Sequence, residues 1–214
     1  MGSIIDRKTV LTAAQVVDHA MDAPVKLLIL AGRKSPWWGA NSQVRKAKEI
    51  YQIDPGLAIV IVKYEFLFNN NVSPIKISNK VVSSNVDEYG KFFAVFGLQR
   101  TGWDIPGELT PKGIIYHMKV EEVPESQDSC LHVYPDYDFN STIMTCTNAN
   151  GSWTWGCLGS PTIALDKTKQ KHLLQIAVVV KTTMSDTENY HFHLSIAQFE
   201  PWIRAHSLLG YKNK

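Results

Sequence analysis

The sequence predicts an all-β protein, of sandwich or barrel type, on three observations. Short strand-like runs recur along the chain, turn-forming residues separate them, and only one stretch carries helical spacing. In order, the runs are Lys26 to Leu30, Leu57 to Val62, Phe92 to Phe96, Ile114 to Val120, Gln175 to Val180 and His191 to Ile196. Each is short and rich in the β-branched and aromatic residues that suit a pleated surface. The breaks Gly32 to Ser35, Asn69 to Pro74, Gly102 to Pro111 and Thr147 to Ser152 supply the polar, Gly or Pro positions where strands end. The stretch from Ile196 to Leu209 predicts a helix, because Phe199, Ile203 and His206 are spaced to share one face.

At 214 residues the chain can bury a sizeable core as one all-β domain or as two small barrels packed together. Charged residues are 20% and hydrophobic ones 44%, and the net charge is +2, so no strong field points to a nucleic-acid or membrane partner. The longest apolar runs fall far short of the roughly 20 residues that span a bilayer as a helix, and a soluble chain is expected. No secretory signal opens the chain, and Asp6 stands where a myristoylation motif requires Ser or Thr. No internal repeat or low-complexity segment is present. The three cysteines, Cys130, Cys146 and Cys157, leave at least one thiol free or bonded to another chain. Glycosylation tripeptides occur at Asn71, Asn140 and Asn150 and matter only for a secreted product.

Several ordered segments carry a family resemblance. They are G-S-I-I-D-R-K-T-V-L-T-A-A-Q at Gly2 to Gln15, A-I-V-I-V-K-Y at Ala58 to Tyr64, V-S-P-I at Val72 to Ile75, the cysteine-bearing C-L-H-V-Y and I-M-T-C-T, G-C-L-G-S-P at Gly156 to Pro161, and F-E-P-W-I at Phe199 to Ile203. In this order they resemble the trypsin-like serine proteases, over nearly the whole chain. The resemblance implies a double β-barrel with a C-terminal helix. One domain would cover residues 1–214, with the first barrel over about 1–100, the second over about 101–195 and the helix and tail over 196–214. Nothing in the chain corresponds to the first strand of the N-terminal barrel, so that barrel is expected to lack it and to expose an edge.

Trypsin-like catalysis needs a serine oxygen, an imidazole to take its proton and a carboxylate to hold the imidazole's tautomer. Carried over, these positions are Leu158, Gln15 and Ala58. Leu158 offers only carbon, the Gln15 amide does not titrate near neutral pH, and Ala58 has no polar atom. Cys157 stands where the family's activation aspartate would be, and Gly156 is retained at an oxyanion position. The family's specificity pocket maps to Ser152 at its floor and, at its walls, to His191 and to Val180, or to Lys181 on a register shifted by one, where bulk replaces glycine. Cys130 and Cys146 occupy a pair bridged in the family. The resemblance therefore implies a non-catalytic protease homologue, extracellular, without cofactor or metal, that binds another protein such as an active protease or its substrate. Secreted regulators of protease cascades, of immunity or of reproductive fluids are of this kind. The rivals are a residual hydrolase using Cys157 or Ser160, and a decoy that holds peptides uncut.

Plainer readings stand beside these. A thiol at Cys157 without a neighbouring base reads as a buried structural thiol or as one half of an interchain disulfide. His191 and His193 fall on one side of a strand, as two metal ligands could, but no third ligand has matching spacing, which favours a structural role. Trp37 and Trp38 read equally as exposed binding aromatics or as a lid over a core, Trp153 and Trp155 as packing, and the basic run Arg45 to Lys48 as a solvated face.

Overall fold

The computed structural model describes residues 1–32, 42–79, 93–99, 114–122, 142–148, 154–155, 158–165, 173–182 and 190–213. Its first sheet is antiparallel and has five strands: β1 (Ser3–Ile4), β2 (Thr9–Ala13), β3 (Leu28–Ala31), β4 (Gln43–Ile53) and β5 (Leu57–Val62). Their order is β1-β2-β5-β4-β3, so β2, β5 and β4 lie inside. All five residues of β2 are buried, as are all but one of β5. At its start β4 alternates instead, with Lys46 and Lys48 exposed around buried Ala47, so the basic run is the solvated face of a strand. Among the described residues the sheet does not close, and β1 and β3 form its two edges.

The second sheet does close. Its strands are β7 (Phe93–Gln99), β8 (Ile114–Glu122), β9 (Met144–Asn148), β10 (Thr154–Trp155), β11 (Pro161–Leu165), β12 (Leu173–Thr182) and β13 (Tyr190–Ser195). The order β7-β11-β12-β13-β9-β8 is completed by a pairing of β8 with β7, which makes a six-stranded ring. Short β10 adds to β7, and β6 (Lys76–Ile77) runs parallel to β12 at Leu174–Gln175. Full closure removes the unpaired edges that an open sheet presents. The chain is all-β in the trypsin-like arrangement, as its segments predict. Sheet membership changes earlier than expected, however. Because β7 already pairs with β8 and β11, the boundary placed near residue 100 moves to the N-terminal side of Phe93. An apolar run states that a strand exists, but its partner is set by contacts distant in sequence.

One core joins the two sheets. Leu11, Leu57 and Ile59 of the first pack with Val178, Phe192 and Leu194 of the second, each large aliphatic or aromatic side chain stabilising by roughly 1.5–3 kcal/mol on burial. A second cluster fills the first sheet alone, around Val10, Val60, Val62 and Phe66. The buried Ser3 hydroxyl donates to Gln175 Oε1 at 2.6 Å, tying β1 to β12. The C-terminal helix is shorter than its spacing predicts: α-helix covers Glu200–Ala205 only, with 3₁₀ turns at Ala197–Phe199 and Leu208–Asn213. Pro201 in the first turn suits a helix start, and the backbone leaves helical geometry at His206. The shared face survives, with Ile203 buried and Phe199 and His206 half-buried. Likewise β3 begins at Leu28 and not at Lys26, because Pro24–Lys26 forms a 3₁₀ turn. Among the described residues no helix is long and apolar enough to cross a membrane.

Candidate functional site

Of the positions that the resemblance assigns to the triad, Ala58 pairs with β2 and Gln15 follows that strand. Thr12 pairs with Ala58 and Ala13 with Leu57. The Ala14 amide then donates to Gly56 O at 2.8 Å, and a four-residue helix, α1 (Ala14–Val17), begins. Gln15 lies in that helix and is exposed, whereas Ala58 is fully buried. From the other sheet the turn Leu158–Gly159 reaches the same place. Gly159 N donates to Val179 O at 2.8 Å and Val179 N to Ser160 O at 3.0 Å. The Met1 ammonium donates to Leu158 O at 2.9 Å, while Thr12 Oγ1 donates to Met1 O at 2.6 Å. Leu158 is thus linked through Met1 and Thr12 to the strand pair that carries Ala58.

Gly159 is required at this junction. Its φ of +76° lies in the left-handed region, and a Cβ there would sit 2.2 Å from both Met1 O and Thr12 Oγ1. No imidazole, carboxylate or reactive oxygen occupies the three positions. Neighbouring Ser160 has a side chain fully removed from solvent.

Val180 and His191, which the resemblance assigns to the walls of the specificity pocket, are both buried. Val180 is 4% exposed and belongs to the core shared by the sheets. His191 is 1% exposed, and among the described residues neither of its ring nitrogens has a hydrogen-bond partner. Alternation along β13 sends Tyr190, Phe192 and Leu194 to the shared core and His191 and His193 to the opposite face. His193 Nδ1 meets Thr162 Oγ1 and Nε2 meets Thr147 Oγ1, each at 2.7 Å, so one ring bridges β11, β13 and β9. The two imidazoles stand edge to face at 6.3 Å between centroids. Burial lowers the His191 pKa to about 4. Burial, and then the proximity of His191, lowers that of His193 to about 3. Both rings are neutral at pH 7. Both nitrogens of His193 are thus occupied by threonine hydroxyls.

Sequence reasoning did not find the Thr147–His193–Thr162 chain, the Ser3–Gln175 link or the Met1–Leu158 contact. Polar residues inside otherwise apolar strands were the only available signal. Asn71 is exposed, in a turn where Asn69 Oδ1 accepts from Asn71 N and Val72 N. Cys146 is disulfide-bonded. Its expected partner Cys130, together with Ser152, Gly156, Cys157, Asn140, Asn150, Trp37, Trp38 and Trp153, lies outside the described residues.

Comparison with known proteins adds one match. The family model described as Trypsin matches residues 1–203. No curated protein matches the chain.

Proposed function

The chain belongs to the trypsin family, and from that premise we propose that it is a non-catalytic member, a pseudoprotease that acts by binding another protein. The observation that carries the reading is the chemistry at the triad positions. Ala58 pairs with Thr12 of β2, Gln15 lies in the helix that follows that strand, and Leu158 is linked to Thr12 through Met1; none of the three can accept a serine proton, orient an imidazole or attack a carbonyl. Two further features support it. The walls expected of a substrate pocket are the buried side chains of Val180 and His191, and the hydroxyl of Ser160 is closed to an incoming peptide. Recognition would then fall to surface segments on a rigid β scaffold. The partner class is a protein, an active protease or its substrate, and the setting is extracellular, as is common for the family.

The test is peptide hydrolysis alongside partner capture. Wild-type protein should cleave no member of a broad peptide library. The triple variant Gln15→His, Ala58→Asp, Leu158→Ser should also remain inactive, because triad members act as a unit while Val180 and His191 still fill the pocket. Turnover by wild-type protein, lost on thiol alkylation, would assign the activity to Cys157 and overturn the reading.

A further inference from the structure

Three large apolar side chains stand in solvent on the short segment that follows β5: Tyr64 is 66% exposed, Leu67 69% and Phe68 38%. The segment itself is firmly held. Phe66, between them, is fully buried in the first-sheet core, and its amide donates to Arg7 O at 2.7 Å. Gln43 at the start of β4 grips Leu67 from both sides, donating from Nε2 to Leu67 O at 2.5 Å and accepting from Leu67 N at 2.9 Å. Arg45 Nε donates to Glu65 O at 2.8 Å. A backbone anchored in this way keeps its apolar side chains in water as a fixed ledge, and a cluster of such side chains rimmed by polar groups marks a contact surface.

The charges around the ledge specify what meets it. The Arg7 guanidinium lies over the Phe68 ring at 5.6 Å, the Lys63 ammonium over the Tyr64 ring at 5.4 Å and the Arg45 guanidinium over the Phe66 ring at 5.7 Å. Lys8 adds a further cation. Against them stands one exposed carboxylate, Glu65, at 3.7 Å from Arg7 and 3.9 Å from Lys8. Asp6 is buried and accepts from the amides of Lys8 and Leu208. Among the described residues Lys63 has no carboxylate partner. A complementary ligand therefore carries negative charge and apolar groups together.

We infer that this ledge is a docking surface for an acidic segment of another polypeptide, one in which Asp or Glu is interspersed with apolar residues. The inference names a surface and a partner chemistry for the binding role above, and it rests on that reading. Other anionic occupants match less well. A sulfated glycan brings charge but no side chains to cover Leu67 and Phe68. An anionic bilayer meets a different obstacle. Directly after Phe68 the chain turns back, with Asn69 N donating to Val72 O at 2.8 Å, and Asn69, Asn70 and Asn71 are all exposed. Burying Phe68 among acyl chains would carry these amides toward hydrocarbon, where they lose their partners, whereas a polypeptide backbone offers them hydrogen bonds. Glu65 also opposes a uniform sheet of negative charge, while a polypeptide can set its carboxylates beside Lys63 and Arg7 and its apolar side chains over Leu67.

The test is selection from a random display library of short peptides on the whole chain, followed by synthesis of the recovered peptides and measurement of their affinities by fluorescence anisotropy. Recovered sequences should combine Asp or Glu with aliphatic or aromatic residues. Lys63→Glu and Leu67→Ser, both at exposed positions where substitution leaves the fold nearly as stable, should each weaken binding by about ten-fold or more. Affinity should also fall as salt rises. The site is overturned if no peptide is enriched, if the enriched peptides lack acidic residues, or if both variants bind them as wild type does. Sedimentation of wild-type protein with phosphatidylserine vesicles, abolished by Leu67→Ser, would assign the ledge to a membrane and overturn the polypeptide as its occupant. Mass spectrometry of the bound peptides separates the two readings. Cleavage counts against the pseudoprotease and leaves the ledge standing, whereas intact peptides indifferent to both substitutions count against the ledge alone.

Discussion

His191 is the side chain whose environment departs furthest from what a polar group ordinarily tolerates. Most buried polar atoms have a partner, yet among the described residues both of its nitrogens lack one while the ring is held neutral by burial, at a pKa of about 4. The sign of the pH effect follows. The folded pKa lies below the unfolded value near 6.5, so between these values the unfolded chain binds more protons and stability falls as pH falls. His193, at about 3, extends the same loss further into acid. Above pH 6.5 neither contributes a slope. Each imidazole contributes at most about 1.4 kcal/mol per pH unit inside its window. His191→Phe should therefore preserve stability at pH 7 and flatten the loss between pH 6 and 4 relative to wild type, in denaturant titrations at each pH. An unchanged slope would show that His191 does not titrate there. Gly159→Ala should cost more than about 2 kcal/mol, since the added Cβ meets Met1 O in a φ region that alanine avoids. A thermal melt within a degree or two of wild type would contradict the junction described for that turn.

At the level of elements, strands are defined better by their partners than by their composition. Strand β4 is long, polar and basic at its start, and it holds its place because β3 pairs with one side and β5 with the other. Strand β9 carries disulfide-bonded Cys146 and pairs with β13 along its whole length. The expected bridge to Cys130 would close a loop of about 15 residues, worth roughly 3 kcal/mol in the chain-entropy account. Peptide mapping without reductant should recover Cys130 joined to Cys146, and reduction should lower the midpoint of unfolding by a corresponding amount. A Cys146–Cys157 peptide would refute the pairing. Within the C-terminal helix, Arg204 pairs with Glu200 one turn before it, and the Leu208 amide donates to Asp6 Oδ2 at 2.9 Å. These contacts hold the end of the chain against the first sheet. Its helical spacing was legible, but its interruption at His206 was not.

Across the whole molecule, two sheets of unequal completeness share one core. The closed ring around β13 stands beside an open sheet whose edges flank a groove. Because Ala58 is fully buried in the first-sheet core, Ala58→Asp places a carboxylate there without an established partner, so the triple variant should melt below wild type as well as remain inactive. Cleavage by that variant would show that the pocket admits a side chain past Val180 and His191. The sequence by itself determined the all-β class, the family segments and their order, and the chemical poverty of Gln15, Ala58 and Leu158, because residue identity and local spacing are sufficient for each. Tertiary structure alone decided that β7 joins the second ring, that His193 bridges Thr147 and Thr162, and that β1 and β3 face one another across an apolar gap. The physical reason is that strand pairing and burial are relations between residues far apart in the chain. A pattern with period two states that a strand exists, but not which edge it meets.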